Sequence, residues 1–234
     1  MPPPRAKQLV ATLLESKPLT EQVSWFRLRL SEPLDFAPGQ YVDLRFPGEE
    51  RYRAFSFAGS PARKDEVELV IKLEKEFTTR LFSSPLGTRL EALAPLGRFM
   101  ANPRGDVVMI AGGVGVTPFL SMVRWARDAN LQDRHYWLFY SCRTRADIFH
   151  AEELRALPAQ NPNIHVVLTV TRETPPGWDG ELGHIDRAML LKHLGSLEGK
   201  SFYSCGPARL TEEMVAMLQE AGVPKEMIFT ESWG

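Results

Sequence analysis

Val107-Val108-Met109-Ile110-Ala111-Gly112-Gly113-Val114-Gly115-Val116-Thr117-Pro118 is the stretch on which the reading of the fold turns. An unbroken apolar run that stops at glycines reads as a strand buried on both faces, as in a parallel sheet. The glycines allow a tight turn and let backbone amides come close to an anion. Thr117 is placed to cap a helix that Pro118 opens at its first position. Free N–H groups and a partial positive charge at that helix start suit a pyrophosphate. Without a ligand, the same residues make an ordinary strand–turn–helix joint. The spacing differs from Gly-x-Gly-x-x-Gly, so Gly112, Gly113, Gly115 and Thr117 alone do not settle nucleotide binding.

Beyond this stretch, apolar strands alternate with helices. Strand Val107–Ala111 leads to helix Pro118–Ala129, strand Tyr136–Tyr140 to helix Ala151–Leu157, and strand His165–Val170 to helix Asp186–Leu194. Strand Ser201–Ser204 leads to helix Leu210–Ala221, closed by Gly222, and strand Met227–Thr230 follows. Such alternation predicts βαβ units and a parallel sheet. Before it the rhythm is different. Gln8–Leu14, Val23–Leu30, Tyr41–Phe46, Ala54–Ala58, Val67–Leu73 and Arg89–Leu93 read as short strands divided by Pro-Gly or charged turns, with one short helix at Thr78–Ser83. That spacing predicts an antiparallel barrel or sandwich. The change comes near Asn102-Pro103-Arg104-Gly105.

Charge excludes some partners. The net charge is −1, with +2 over residues 1–103 and −3 over the rest, too little basic excess for a phosphate-backbone partner, so nucleic acid is not expected. The opening Met1-Pro2-Pro3-Pro4 has no apolar core of a secretory signal, and the longest apolar stretch, Val107–Leu120, is too short and too interrupted to span a bilayer. A cytoplasmic protein without membrane association is the expectation. Cys142 and Cys205 are too few for an iron–sulfur cluster, which takes about four, and fit buried strand-end thiols better than a disulfide. His135, His150, His165 and His193 lack metal-ligand spacing, so no metal site is expected.

Several further segments carry a family resemblance. Arg53-Ala54-Phe55-Ser56 resembles the flavin-binding Arg-x-Tyr/Phe-Ser motif of the ferredoxin–NADP reductase superfamily. Phe36-Ala37-Pro38-Gly39-Gln40-Tyr41-Val42, Glu76-Phe77-Thr78-Thr79-Arg80-Leu81 and Pro95-Leu96-Gly97-Arg98-Phe99 are similar to its strand entry, pyrophosphate loop and barrel closure. Gly112–Pro118 resembles its Gly-Gly-x-Gly-x-Thr-Pro, Ser204-Cys205-Gly206-Pro207 its Cys-Gly-Pro, and Glu231-Ser232-Trp233 the Glu-x-Tyr of its plant-type members. The order along the chain is the family's. The resemblance implies an N-terminal antiparallel Greek-key β-barrel over 1–103 that binds FAD. It further implies an α/β parallel-sheet domain over 104–234 that binds NAD(P).

It also implies roles. Arg53 neutralises the FAD pyrophosphate, Phe55 packs against the isoalloxazine, Ser56 hydrogen-bonds near flavin N5, and Ala54 is a further FAD-binding position. Phe77, Thr78 and Thr79 offer amides to the diphosphate, and Trp233 stacks on the flavin. Cys205, Gly206 and Pro207 sit where nicotinamide approaches, with Glu231 polarising the site; Ser56, Cys205 and Glu231 are the candidate catalytic residues. Arg143 and Arg172 stand where a 2′-phosphate is held, which favours NADPH, with NADH left open. The implied activity is electron transfer from NAD(P)H through FAD to a separate acceptor, ferredoxin or flavodoxin first. A free flavin or an oxygenase partner is the alternative, and a non-catalytic flavin- or nucleotide-binding subunit is a third reading.

Overall fold

The computed structural model describes residues 5–101 and 105–232. The chain divides into two compact units: residues 1–100 with 120–125, and residues 101–119 with 126–234. The junction expected at 103/104 lies outside the described residues.

The first unit is an antiparallel barrel of β1 (Lys7–Pro18), β2 (Val23–Leu30), β3 (Tyr41–Arg45), β4 (Arg53–Ser56), β5 (Glu66–Lys72) and β6 (Arg89–Leu96). The order β4-β3-β6-β1-β2-β5 is that of a Greek key, and a Phe57–Leu69 bridge nearly closes it. β1, β2 and β3 alternate a buried face with a more open one, and Leu9, Ala11, Leu13, Phe26, Leu28, Val42, Leu44 and, from β5, Leu69 fill the interior. The short helix α1 (Glu76–Phe82) plugs one end through Phe77 and Leu81, with the Phe77 ring against both Phe46 and Phe55. Gln40 pins the β3 entry: its side-chain oxygen accepts from the Ala37 amide at 2.8 Å and its Nε2 donates to the Gly97 carbonyl at 3.2 Å. Gly39, at φ +94, is obligatory there, because a Cβ would strike the Phe99 carbonyl. Thus the Pro-Gly-Gln-Tyr and Pro-x-Gly-x-Phe segments lock each other.

The second unit is a parallel sheet of β7 (Val107–Gly112), β8 (Tyr136–Cys142), β9 (Ile164–Val170), β10 (Glu181–Leu182), β11 (Ser201–Gly206) and β12 (Ile228–Ser232) in the order β10-β9-β8-β7-β11-β12. The chain therefore winds outward from β7 through β10, then returns to the other side of β7, placing the topological switch between β7 and β11. Its helices are α3 (Ala151–Gln160), α4 (Arg187–Leu194) and α5 (Ala208–Glu220), together with the two ends of α2 (Thr117–Asp128), whose middle, Leu120–Trp125, belongs to the first unit. Asp186 caps α4 by accepting from the Met189 amide at 2.8 Å. The two-residue strand β10 was not expected from the sequence: so short a segment has no periodicity to read. α3 runs three residues past the expected Leu157, because Pro158 lies in its last turn, where the missing N–H removes one bond only.

Candidate functional site

In the first unit the flavin-type motif lies on β4, an edge strand. The Phe57 amide donates to the Gln40 carbonyl. By the alternation of an antiparallel ladder, the amides of Ala54 and Ser56 then point away from β3, to the edge of β4 that is open up to the Phe57–Leu69 bridge. Ser56 is buried and its hydroxyl has no hydrogen-bond partner among the described residues. A buried hydroxyl left unsatisfied is a penalty of about 1–3 kcal/mol, which a bound group could remove. Arg53 is half-buried, and its guanidinium reaches only the Tyr52 carbonyl, at 3.1 Å, with no carboxylate partner among the described residues. Phe55 stacks on Phe77 at 5.7 Å between ring centroids, so part of its face already belongs to the barrel.

The threonines of α1 are committed locally. The Thr78 hydroxyl accepts from the Glu74 and Lys75 amides at 2.9 and 3.0 Å and donates to the Lys75 carbonyl at 2.8 Å. Thr79 donates to that same carbonyl at 3.1 Å. These side chains hold the helix start, and the Thr79 amide also donates to the Lys75 carbonyl at 2.9 Å, leaving the amides of Phe77 and Thr78 as what this segment can offer a diphosphate. An unpartnered buried hydroxyl, an uncompensated cation and an open strand edge fit an anionic, ring-bearing cofactor such as FAD.

In the second unit the two glycine-bearing turns meet at the switch between β7 and β11. Gly113 has φ +54, open to glycine at no steric penalty. Gly115 is needed for a different reason: a Cβ there would lie 2.6 Å from the Gly206 nitrogen and collide with the Cys205 carbonyl. Gly206 in turn has φ +155, and its Cβ would lie 3.1 Å from the backbone of Gly112. Gly115 and Gly206 thus let the end of β11 press against the turn after β7.

Thr117 corrects the sequence reading. It has helical φ/ψ of −54/−54 and its hydroxyl donates backward to the Val114 carbonyl at 2.7 Å, so it does not cap the helix. The turn Gly113–Val116 is itself a 3₁₀ helix that feeds straight into α2, so the free amides at this helix start belong to the glycine turn. No acidic side chain stands in the first turn of α2 or of α5, which Pro207 opens. Cys205 is fully buried and pairs in register with Ala111 and Glu231. Ser204, next to it, has a buried hydroxyl without a partner.

Glu231, next to last in β12 and beside Cys205, has one carboxyl oxygen that is buried and without a partner among the described residues. Burial pushes this carboxyl from an ordinary 4.5 up to about 7. A raised folded-state value means that the penalty is absent below pH 4.5, grows as the unfolded chain ionises, and is complete once the pH passes about 7. After allowing for its remaining contact with water the penalty is ~1–2 kcal/mol. Glu231→Gln should therefore gain stability over the native chain by that amount at pH 8 relative to pH 4.5. Urea unfolding at the two pH values measures it, and a pH-independent difference would refute the account.

Arg143 and Arg172 follow β8 and β9 and lie side by side, since the Arg172 amide donates to the Arg143 carbonyl at 2.9 Å. Both side chains are exposed, with no ion-pair partner among the described residues. Two acidic groups of this region are occupied: Asp147 accepts from the Thr144 amide and hydroxyl at 3.0 and 2.8 Å, and Glu173 accepts from the Arg145 amide. Trp233 lies outside the described residues. Cys142 is a free thiol with burial raising it to about 12, hence inert, and Cys205 is likewise free of any disulfide. Among the described residues no group of three His, Cys, Asp or Glu side chains could hold a metal ion, and no helix is long and apolar enough to cross a membrane.

Sequence reasoning passed over Ser204, although it stands inside the quoted Ser-Cys-Gly-Pro run; polarity in an otherwise apolar strand was the available signal. It also passed over Ser121 and Arg124, polar residues in the stretch Thr117–Arg124 that is buried throughout.

Comparison with known proteins matches residues 10–100 to the oxidoreductase FAD-binding domain family and residues 109–216 to the oxidoreductase NAD-binding domain family. The reductase component of phenol 2-monooxygenase from Pseudomonas sp. strain CF600 is 31% identical over 91% of this chain and 62% of its own length. The ferredoxin–NAD(P)(+) reductase component of the naphthalene 1,2-dioxygenase system of Pseudomonas putida is 28% identical over 97% of this chain and 70% of its own. The crystal structure of the Amycolatopsis cytochrome P450 reductase GcoB superposes with a TM-score of 0.85 at 27% identity, over 97% of this chain and 70% of that one. The chain spans less than two thirds of the length of several curated relatives that it matches.

Proposed function

Since the chain belongs to the ferredoxin–NADP reductase-like superfamily of FAD- and NAD(P)-binding oxidoreductases, we propose that it carries electrons from NAD(P)H to a separate acceptor as the reductase component of an oxygenase system. One observation carries the reading. The flavin-type half and the nicotinamide-type half each keep buried polar groups without partners at the motif residues: Ser56 in the first, Ser204 and Glu231 in the second. FAD, when bound, supplies the hydride acceptor and the means of passing electrons onward. The residues supply position and charge. Arg53 neutralises the diphosphate with parallel N–H donors, and Ser56 directs its hydroxyl at the reactive edge of the ring. The Gly113–Val116 amides and the start of α2 would hold the nucleotide diphosphate, while Gly206, without a side chain, keeps the end of β11 against Gly112, where the nicotinamide would approach. Glu231, protonated below pH 7, can donate a hydrogen bond from its carboxyl and lose that ability above it.

The acceptor is an oxygenase or the ferredoxin that serves one, in keeping with what the relatives are named for. A purified protein that is yellow and reduces ferricyanide with NADPH supports the proposal. Yellow protein without turnover would favour a binding subunit, and colourless protein that turns over added riboflavin would favour a flavin reductase.

The side-by-side Arg143 and Arg172, with Asp147 taken up in its own loop, support NADPH over NADH. Replacing both arginines by alanine should lower kcat/KM for NADPH ~10–100-fold, the worth of one or two charge-assisted bonds. The value for NADH should stay within about twofold. Equal losses for the two nucleotides would dismiss the arginines as phosphate readers.

A further inference from the structure

The flavin strand is gripped just beyond its reactive residue. Residues Leu120–Trp125 of α2 belong to the first unit, and two of them reach the chain two and three positions past Ser56. The Ser121 hydroxyl, fully buried, donates to the Gly59 carbonyl at 2.7 Å. The Arg124 guanidinium donates to the Ala58 carbonyl at 2.9 Å and pairs with Glu68 at 3.1 Å. Glu68, on β5, also accepts from the Trp25 indole at 3.0 Å, and its backbone carbonyl accepts from the Ala58 amide at 2.8 Å. Gly59 lies so close that a Cβ would come within 3.2 Å of the Glu68 Cβ. The strand end is therefore held on both sides.

Stability alone is a poor reason for this arrangement. A buried Arg–Glu pair contributes little more than well-packed apolar residues of equal volume, because desolvating both charges offsets their attraction. A fully satisfied polar network does, however, select one geometry. Its two carbonyl contacts fall on Ala58 and Gly59, in the segment that directly continues the strand from Ser56.

We propose that Arg124 and Ser121 are positioning residues for the flavin: they fix the Ala58–Gly59 segment so that the Ser56 hydroxyl and the open edge of β4 are in place before the cofactor binds. This rests on the reading of Ser56 as a flavin contact. The test is a double-mutant cycle on FAD affinity, read by fluorescence quenching as the apoprotein is titrated with FAD, with the thermal midpoint of each apoprotein recorded alongside. Arg124→Gln and Ser121→Ala should each weaken FAD binding ~5–10-fold in the native background. With Ser56→Ala already present, the further loss should shrink below about twofold, the non-additivity expected of groups that act through one another. Arg124→Lys, which keeps the charge at Glu68 but loses the fork, should fall between. Losses that multiply in the double variants, or a lowered apoprotein midpoint with FAD affinity unchanged, would overturn the proposal. Should Arg124→Gln fail to fold, Ser121→Ala, which removes a single oxygen, decides the matter. A native chain that takes up no FAD would instead refute the functional reading on which the inference stands.

Discussion

Gly115→Ala should leave the protein yellow but unable to be reduced by NAD(P)H at ordinary nucleotide concentrations. The added methyl has nowhere to go. Its carbon would lie 2.6 Å from the Gly206 nitrogen and closer still to the Cys205 carbonyl, and both of these are backbone atoms in the middle of a hydrogen-bonded sheet. Close-packed interiors do not yield cheaply, so the glycine turn must lift by roughly 1 Å. That displaces the Gly113–Val116 amides and breaks the fit between the turn and Cys205-Gly206-Pro207. Misplacement on that scale is worth about 100-fold in a positioned reaction, and the expected drop in kcat/KM for NAD(P)H is of that order. Gly115 packs on β11, within the second unit, whereas the flavin-type motif is on β4 of the first. FAD content and the visible spectrum should accordingly stay near those of the native chain. Stopped-flow reduction by NADPH measures the effect; a rate within threefold of native would show that the turn tolerates a side chain.

The glycines were legible before the fold was known, but their separate jobs were not. Gly113 could be read as a turn residue from its type alone, and its φ of +54 agrees with that. Gly115 has no unusual backbone angle; only the proximity of β11, some ninety positions later in the chain, explains it. The same limit applies to Thr117. A threonine before a proline looks like a helix cap, yet the glycine turn winds as a 3₁₀ helix and carries Thr117 inside the helix, where its hydroxyl bonds backward. The alternation of strands and helices after residue 105 was readable because buried parallel strands are apolar throughout, while β10 left no trace. The short helix expected at Thr78–Ser83 starts two residues earlier, at Glu76, so that Thr78 and Thr79 lie inside its first turn with hydroxyls bonded back to the Lys75 carbonyl. The clamp at Arg124 and Glu68 joins residues far apart in sequence, and no local pattern announces it.

The flavin half presents the opposite situation to the glycine turn, in that its chief signal is a missing partner. Among the described residues Arg27, Arg45, Arg80 and Arg124 all find carboxylates. Arg53 does not, though it is half-buried and stands on the strand that carries the motif. A cation withdrawn from water without an anion is destabilising, and the diphosphate of FAD is what would balance it. Arg53→Ala should therefore separate two effects that usually go together. Loss of two charge-assisted hydrogen bonds should weaken FAD by ~3–4 kcal/mol, or ~100–1000-fold in Kd, so that the protein loses its colour on gel filtration. The apoprotein, relieved of an uncompensated charge, should melt no earlier than the native apoprotein. Arg53→Lys, with a point charge in place of the planar fork, should recover part of the affinity but not all of it. Fluorescence titration with FAD and apoprotein melting curves read the two effects independently. Full FAD affinity in Arg53→Ala would remove the guanidinium from the cofactor site, and an unstable apoprotein would make it a structural residue of the barrel.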